Sequence, residues 1–293
     1  MYYRRRVLLA LVEAFGGVLR RTECLKLLFI FCEQTKKNHY DFFPYKYGGF
    51  SFLVYEDKER LMELGFLKNT ASLQLCTPQS FLEQLKLEDR LTLQSMSARL
   101  RNLRGKALIR QVYLDYPHFA CRSGILTRVL SPEEVEGVKL WWNKDLSETL
   151  FTIGYEGLTI DAYLNKLISN NIKALVDVRW NPNSMKYGFS KAKLRYYVEK
   201  AGLRYYHIPD LGIPSSLRKE LETPEDYFSL LQYYQSEILP KQTMAIERIK
   251  ALLSEHTRIA LTCFEANYRF CHRHKITQYL ASTPDFNAKV VHL

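Results

Sequence analysis

The sequence lacks a long apolar run and any pattern of paired cysteines. Nowhere in its 293 residues do about 18 apolar residues follow one another, so no membrane span is predicted. Arg4, Arg5 and Arg6 resemble the start of a signal peptide, but Glu13 interrupts the apolar residues after them and no small-residue cleavage site follows. Six cysteines are scattered along the chain, as expected where thiols stay reduced. These absences predict a cytoplasmic protein with no membrane partner.

Acidic residues are too few to balance the basic ones. The chain has 42 Lys and Arg residues against 31 Asp and Glu residues, which gives a net charge of +11. Residues 1–145 carry 23 of the basic and 16 of the acidic residues, so most of the excess lies in the first half. This charge favours a polyanionic partner, most simply nucleic acid, either DNA or RNA. The alternatives are a protein partner or a basic protein with no polyanionic partner.

The length of the chain suggests about two domains, and the residue patterns place the boundary near residue 147. Residues 1–147 have the pattern of a basic, mainly helical domain that binds nucleic acid or a protein partner. Residues 148–293 alternate short apolar strands with helices. We therefore predict an α/β fold, a mostly parallel sheet with helices on both faces, preceded by the helical domain.

Three helices and a small hairpin are predicted in the first domain. The apolar spacing from Val7 to Phe15 predicts a helix that Gly16-Gly17 ends. Thr22 is placed to cap a second helix, and residues 50–64 have the pattern of a third. Two β-like runs around Asn69-Thr70 predict a hairpin. This order is typical of a winged helix, although many small helical domains share it.

A basic segment from Arg90 to Arg110 contains no acidic residue and has leucines spaced along it. We predict a basic amphipathic helix pair that lies along a phosphate backbone. The alternative is a solvated helix face beside a core. The predicted nucleic-acid-binding residues are Arg99, Arg101, Arg104, Lys106 and Arg110.

The loop that follows the apolar run 174–178 carries the first group of candidate site residues. In open α/β sheets, ligands bind outside the carboxyl ends of strands. Asp177 and Arg179 lie near such an end, with side chains able to point the same way. We expect Arg179 and Ser184 to bind an anion and Asp177 to act in proton transfer. The alternative is an Asp–Arg structural pair that holds the loop. Tyr155 and Trp180 are further predicted pocket residues.

The segment from residue 263 to residue 273 carries the second group. It places two thiols, a carboxylate, an imidazole and a guanidinium where a strand turns into a helix. A helix N-terminus favours an anion or a thiolate. The candidates are Cys263 as a pocket residue, Glu265, Cys271 and His272 as catalytic residues, and Arg273 as an anion ligand.

Five blocks between residues 151 and 283 occur in the order seen in a known family. They are Thr152-Ile153-Gly154-Tyr155, Asp177-Val178-Arg179 with Pro182 and Ser184, Leu211-Gly212, Cys263-Phe264-Glu265, and Cys271-His272-Arg273. With these blocks the segment resembles the domain-of-unknown-function 488 superfamily. The resemblance implies an α/β domain whose shared polar residues converge on one site, and it implies no particular activity. One departure is Ile213, which stands where the family often has a glycine.

The first domain has a resemblance of its own. Leu25-Lys26-Leu27-Leu28-Phe29 and the later Tyr47-Gly48 make it similar to the antitoxin-associated Panacea domain. That resemblance implies a recognition or regulatory role in bacterial genome defence.

The leading hypothesis is a bacterial enzyme that acts on nucleic acid or a nucleotide-like anion. Arg179, Arg273 and the N-terminus of the last helix would hold a phosphate. Asp177 and Glu265 would serve as acid, base or magnesium ligands. Loop aromatics such as Trp180 could stack on a base. The first domain would deliver the nucleic acid.

Two alternatives differ from this hypothesis in kind. In a rhodanese-like thiol enzyme, Cys271 beside His272 and Arg273 at a helix start would have a lowered thiol pKa. In a non-enzymatic nucleic-acid-binding regulator or genome-defence accessory protein, Asp177, Glu265 and Arg273 would form a buried ion network that positions the loops.

The sequence requires no cofactor, and a zinc site is not expected. The candidate zinc ligands would be Cys263, Glu265, Cys271 and one of two histidines, His272 or His274. Zinc ligand pairs usually lie about two to four residues apart, whereas eight positions separate Cys263 from Cys271. Adjacent Cys271 and His272 are also not expected to face one ion. Magnesium remains compatible with the carboxylates.

Overall fold

The chain forms two compact units. The computed structural model describes residues 1–69, 71–218 and 223–293. The units are Met1–Trp142 and Asn143–Leu293, whereas the sequence patterns place the division near residue 147. Within the described ranges, none of the helices has both the length and the apolarity that a membrane span requires.

The first unit combines helices with two small antiparallel sheets. Its helices are α1 (Tyr3–Ala14), α2 (Arg21–Thr35), α3 (Phe52–Glu63), α4 (Leu87–Leu100), α5 (Gly105–Asp115), α6 (Leu126–Val129) and α7 (Pro132–Lys139). Its strands are β1 (Val18–Leu19), β2 (Phe43–Tyr45), β3 (Gly48–Phe50), β4 (Leu67–Asn69) and β5 (Leu73–Leu75). Strand β5 lies between β1 and β4, and β2 pairs with β3. The predicted hairpin turn at Asn69-Thr70 includes Thr70, which lies outside the described residues.

Two details of the first unit differ from the prediction. Thr22 lies inside α2 rather than at its cap, since Arg20 occupies the cap position. The Glu23 side chain caps the start of this helix, since its carboxylate accepts a hydrogen bond from the Arg20 backbone N–H at 3.3 Å. The basic segment forms two separate helices, α4 and α5, with residues 101–104 between them.

The core of the first unit is built around α1 and α2. Every residue from Val7 to Val12 is buried, and so is every residue from Glu23 to Cys32. A helix that is buried on all sides is typical of the centre of a domain. The buried run of α2 includes Lys26, whose Nζ donates to the carbonyl of Gly49 at 3.0 Å. Each large apolar side chain buried here stabilises the fold by about 1.5–3 kcal/mol.

The second unit is an α/β domain with a five-stranded parallel sheet. Its strands are β6 (Thr149–Gly154), β7 (Ala174–Asp177), β8 (Arg204–His207), β9 (Arg258–Cys263) and β10 (Lys289–His292). Its helices are α8 (Ile160–Ser169), α9 (Lys191–Lys200), α10 (Pro224–Tyr233), α11 (Thr243–His256) and α12 (His272–Ala281). The strand order is β10-β6-β9-β7-β8, and each neighbouring pair is parallel. The predicted α/β fold with a mostly parallel sheet is confirmed.

The register of the central strands brings their carboxyl ends to one edge of the sheet. Gly154 of β6 pairs with Cys263 of β9, and Asp177 of β7 pairs with Thr262. All residues of β6 and β9 are buried, as expected for parallel strands covered on both faces. The segments that follow β6, β7 and β9 therefore leave the sheet side by side.

At the opposite edge, Arg258 holds the chain that leads into β6. Its side chain is 3% exposed, and its Nη1 lies 3.0 Å from the Asp145 carboxylate and 2.9 Å from the Ser147 carbonyl. Its Nε and Nη2 donate to the carbonyl of Asn170 at 3.1 and 3.0 Å. These contacts stabilise the base of the sheet, away from the carboxyl ends of the strands.

Candidate functional site

A pocket of about 330 Å³ lies at the carboxyl edge of the sheet, where open α/β domains bind their ligands. The predicted site residues that line it are Tyr155, Arg179, Trp180, Ser184, Cys263 and Glu265. Its other lining residues are Asn181, Asn183, Met185, Ile213, Ser215, Arg218 and Phe264. Four predicted residues are not part of the lining: Asp177, Cys271, His272 and Arg273. The two segments singled out in the sequence thus contribute to one pocket.

Asp177 and Arg179 form a buried ion pair. The Nη2 and Nε atoms of Arg179 lie 2.5 and 2.8 Å from the two carboxylate oxygens of Asp177, and neither side chain is more than 6% exposed. Arg179 Nη1 donates to the Tyr155 hydroxyl and the Phe189 carbonyl, both at 2.9 Å. Although burial alone would lower the pKa of Arg179, the adjacent Asp177 carboxylate raises it. This is the geometry of the structural pair that the sequence left as an alternative.

The ion pair changes the roles expected of both residues. The Asp177 carboxylate also accepts a hydrogen bond from the Tyr205 hydroxyl at 2.7 Å. Its oxygens are therefore occupied by neighbours behind the pocket wall, and they are not placed for proton transfer to a bound ligand. Arg179 does reach the pocket, but its charge is neutralised by Asp177, so an anion gains little from it.

Cys263 belongs both to the pocket lining and to a buried cluster with Cys271 and His272. The Sγ atoms of both cysteines and the Nδ1 atom of His272 all lie within 4.8 Å of one another. Nδ1 is 3.7 Å from Cys263 Sγ and 3.8 Å from Cys271 Sγ. On the other side of the ring, Nε2 donates to the carbonyl of Val178 at 3.1 Å. This hydrogen bond ties the start of α12 to the loop after β7.

The two thiols of the cluster differ in pKa. Contact with Cys271, and to a smaller extent with the His272 ring, holds the pKa of Cys263 well below its usual value. Burial, and to a smaller extent contact with Cys263, raises the pKa of Cys271 well above the usual value of a thiol. Burial alone would lower the pKa of His272, but Cys263 raises it. The expectation of a lowered pKa at Cys271 is therefore wrong, because burial outweighs the helix start.

Glu265 and Arg273 have different positions relative to the pocket. Glu265 lines it, and among the described residues its Oε2 is a buried atom without a hydrogen-bond partner. Burial, and then Cys263, raises the pKa of the Glu265 carboxyl group. Arg273 is fully buried and donates to the backbone carbonyls of Glu265 and Ala266 at 2.7 and 3.1 Å. Arg273 therefore holds the loop after β9, contrary to the predicted anion contact.

Comparison with known families identifies a domain within the second unit. Residues 159–280 match the family model described as "Domain of unknown function DUF488". The second unit contains a DUF488 domain. No curated protein and no solved structure gives a significant match. The resemblance of the first unit to the Panacea domain stays a prediction.

Two glycines explain how loops of the DUF488 domain come so close together. A Cβ on Gly212 would lie 2.1 Å from the backbone nitrogen of Trp180. A Cβ on Gly154, just before the matched segment, would lie 1.8 Å from the carbonyl oxygen of Glu265. Only glycine permits such approaches of backbone to backbone. Glycine at positions 154 and 212 is therefore explained by steric fit, since it lets the pocket loops pack closely against their neighbours.

Arg218 is a cation of the pocket that the sequence analysis missed. It ends the 3₁₀ turn Ser215–Arg218, is exposed and lines the pocket. In the part of the chain that the structure describes, it has no ion-pair partner. Arg218 does not directly follow an apolar strand, because it lies well beyond the end of β8, and it therefore gives no local sequence signal. Ser215 was missed as well, since a single hydroxyl in a loop gives no sequence signal. Asn181 and Asn183 belong to the loop after β7, where the first group of site residues was predicted.

Aromatic rings contribute both to the interior and to the rim of the pocket. Tyr155 is buried and stacks on Phe189 with ring centroids 4.4 Å apart. Trp180 and Phe264 also line the pocket but remain 46% and 44% exposed. The pocket of the DUF488 domain therefore has a packed aromatic wall and two rings with free surface at its rim.

The basic segment of the first unit is partly used in internal contacts. Arg110 forms an ion pair with Glu134. Arg104 Nη1 donates to the carbonyls of Leu100, the last residue of α4, and of Leu103, both at 3.3 Å. The predicted nucleic-acid-binding residues that remain exposed outside these contacts are Arg99, Arg101 and Lys106.

Proposed function

We propose that the DUF488 domain is an enzyme that acts on a nucleotide-like anion, free or within a nucleic acid, and that the first unit binds nucleic acid. The observation that carries this proposal is the composition of one pocket. It combines a cation without an ion-pair partner among the described residues, exposed aromatic rings and two reactive side chains at the carboxyl edge of the sheet.

Charge in the pocket supports a phosphate-bearing ligand. Arg179 is neutralised by Asp177, so Arg218 provides the positive charge that a ligand can use. Ser184 and Ser215 line the same space, and their hydroxyls would serve as neutral donors. A charge-assisted hydrogen bond to phosphate is roughly twice as strong as a neutral one. An anionic group beside Arg218 would therefore be bound and oriented by these donors.

The exposed rings support a base or a base-like group in the same ligand. Trp180 and Phe264 keep nearly half of their surface accessible while lining the pocket. Stacking of a base on an aromatic side chain contributes about 1–3 kcal/mol. A ligand with both a ring and a phosphate would use the rim and the cation together, which a simple inorganic anion would not.

Two side chains on the pocket wall are chemically reactive. The Glu265 carboxyl group can transfer a proton to or from a ligand, which is the usual role of a carboxylate in such a site. Cys263 lines the same pocket. The exposed cations Arg99, Arg101 and Lys106 of the first unit would add non-specific affinity for a phosphate backbone.

The proposal is tested by binding a fluorescent single-stranded oligonucleotide and a nucleoside monophosphate to the full chain. Arg218→Ala is expected to weaken binding of both about tenfold or more, because one charge-assisted contact is lost. Arg248→Ala is the matched control, since Arg248 is an exposed arginine of α11 outside the pocket. Equal effects of the two substitutions would exclude the pocket as the binding site.

Enzymatic activity is tested separately by following the oligonucleotide and the monophosphate with mass spectrometry. A product that forms with the natural chain and is lost in Glu265→Gln supports the enzyme. Binding that depends on Arg218 without any product would instead favour the non-enzymatic regulator.

A further inference from the structure

We propose that Cys263, Cys271 and His272 bind a zinc ion at the wall of the pocket. These residues lie on the last residue of β9 and at the start of α12, and all three are buried. The inference does not depend on the ligand class proposed for the pocket, because it rests on the donor atoms alone.

The two sulfur–nitrogen distances in the cluster match those of a tetrahedral zinc site. With zinc–sulfur bonds of about 2.3 Å and a zinc–nitrogen bond of about 2.1 Å, tetrahedral angles place sulfur and nitrogen about 3.6 Å apart. Nδ1 of His272 lies 3.7 Å from Cys263 Sγ and 3.8 Å from Cys271 Sγ. The two sulfurs lie within 4.8 Å of each other, which accommodates the expected spacing of about 3.8 Å.

The ring of His272 is oriented as in a metal ligand. Its Nε2 donates to the carbonyl of Val178, so the proton of the neutral ring is on Nε2 and the lone pair of Nδ1 points at the two sulfurs. Tyr234 packs edge-on against the ring at 5.6 Å and is itself held by a hydrogen bond to the Leu211 carbonyl. The ring therefore cannot turn away from the thiols without breaking these contacts.

The donor set and its surroundings select zinc and leave one position for a ligand. Thiolate and imidazole ligands favour zinc over magnesium. A buried pair of thiols would not hold magnesium. Three protein ligands are the number found in catalytic zinc sites, where the fourth position is open to water or substrate. Cys263 lines the pocket, and the buried Oε2 of Glu265 lies in the same wall. Because Cys263 is one of the three ligands, the proposed zinc site adjoins the pocket.

Local backbone geometry explains how adjacent residues can face one ion. Cys271 is extended, with φ −129° and ψ 139°, whereas His272 is the first residue of α12. Because the backbone changes conformation between them, their side chains converge instead of diverging. The 3₁₀ turn Tyr268–Phe270 folds the segment back, so that Cys271 returns to Cys263 across eight positions of sequence.

The inference is tested by loading the reduced full chain with zinc alone, removing the excess and measuring the metal content. One zinc ion per chain is expected for the natural chain and for the exposed-cysteine control Cys76→Ser. The double variant Cys263→Ser/Cys271→Ser should retain about a tenth of that zinc content or less. Equal zinc content in all three proteins would overturn the proposal.

A second measurement needs no substitution and so does not depend on how a variant folds. The natural chain is alkylated with and without stoichiometric zinc, and each cysteine is quantified by mass spectrometry. Zinc should slow the labelling of Cys263 and Cys271 by at least tenfold and leave Cys76 unchanged. Bound zinc that protects neither Cys263 nor Cys271 would also overturn the assignment. Neither measurement involves a nucleotide, so its outcome is separate from that of the proposed function.

Discussion

Nε2 of His272 donates a hydrogen bond to the carbonyl of Val178 at 3.1 Å, although 94 residues separate them along the chain. The contact joins the start of α12 to the loop after β7. Because parallel strands end at the same edge of the sheet, the loop that carries Arg179 and the segment that begins at Cys263 meet there. The candidate pocket depends on this junction more than on any single charged residue.

The close approach at Gly212 predicts that any added side chain deforms the pocket. Gly212→Ala should lower the free energy of unfolding by about 1–3 kcal/mol, the usual cost of overpacking, because its Cβ would meet the Trp180 backbone. Urea denaturation of the full chain measures this. The control is Gly137→Ala in α7, where nothing lies within 4 Å and the substitution should stabilise the helix by up to about 1 kcal/mol. A Gly212→Ala chain as stable as the natural one would contradict the packing.

The buried ion pair predicts that removing a buried carboxylate destabilises the second unit far more than removing an exposed one. Asp177→Asn leaves the Arg179 charge buried without its partner, and it should destabilise the protein by about 3–5 kcal/mol. Glu199→Gln is the control, since it breaks an exposed pair with Arg195 that is worth at most about 1 kcal/mol. Chemical denaturation compares the two. Similar decreases in the free energy of unfolding would show that the buried Asp177–Arg179 pair contributes no more to stability than an exposed pair.

The basic segment predicts a salt-dependent contact with nucleic acid. Charge reversal at Arg99, Arg101 and Lys106 should weaken binding of single-stranded and duplex DNA and RNA and make its salt dependence shallower, because fewer phosphate counterions are released. Arg110→Glu tests a cation that already pairs with Glu134, and it should affect binding less. Fluorescence anisotropy at several salt concentrations measures both slopes. An unchanged slope in the triple variant would remove this surface from the proposal.

Lys26 predicts a rise of stability with pH. Burial lowers its pKa from 10.5 to about 7, so between these values the unfolded chain binds a proton that the folded chain does not. The free energy of unfolding should therefore rise as pH increases from about 7 to about 10. Lys26→Met removes this contribution, whereas Lys68→Met, at an exposed position of β4, keeps it.

The difference between these two variants isolates Lys26 from other groups that titrate in the same range. The buried thiols Cys24 and Cys32 have pKa values raised to about 12 by burial, and they oppose the rise in every variant. Denaturation at pH 7, 8, 9 and 10 supplies the comparison. If the free energy of unfolding changed with pH in the same way in the Lys26→Met and Lys68→Met chains, the lowered pKa of Lys26 would be refuted.

Much of the fold could be predicted because short-range patterns specify it. The apolar run 174–178 became β7, and the alternation of strands and helices became a parallel sheet. Thr22 was misplaced because a capping residue is indistinguishable in sequence from a polar residue in the first turn of the helix. The actual acceptor at that helix start is the Glu23 carboxylate.

The amino-acid sequence by itself determined where the strands end and which polar residues follow them, since hydrophobic periodicity and turn residues act over a few positions. Only the tertiary structure decided the roles of those residues. It turned Arg179 toward Asp177, buried Arg273 against backbone carbonyls, and brought Arg218 into the pocket. It also gathered two thiols and an imidazole within 4.8 Å. Desolvation and pairing depend on neighbours that are distant in the chain, and no local pattern encodes them.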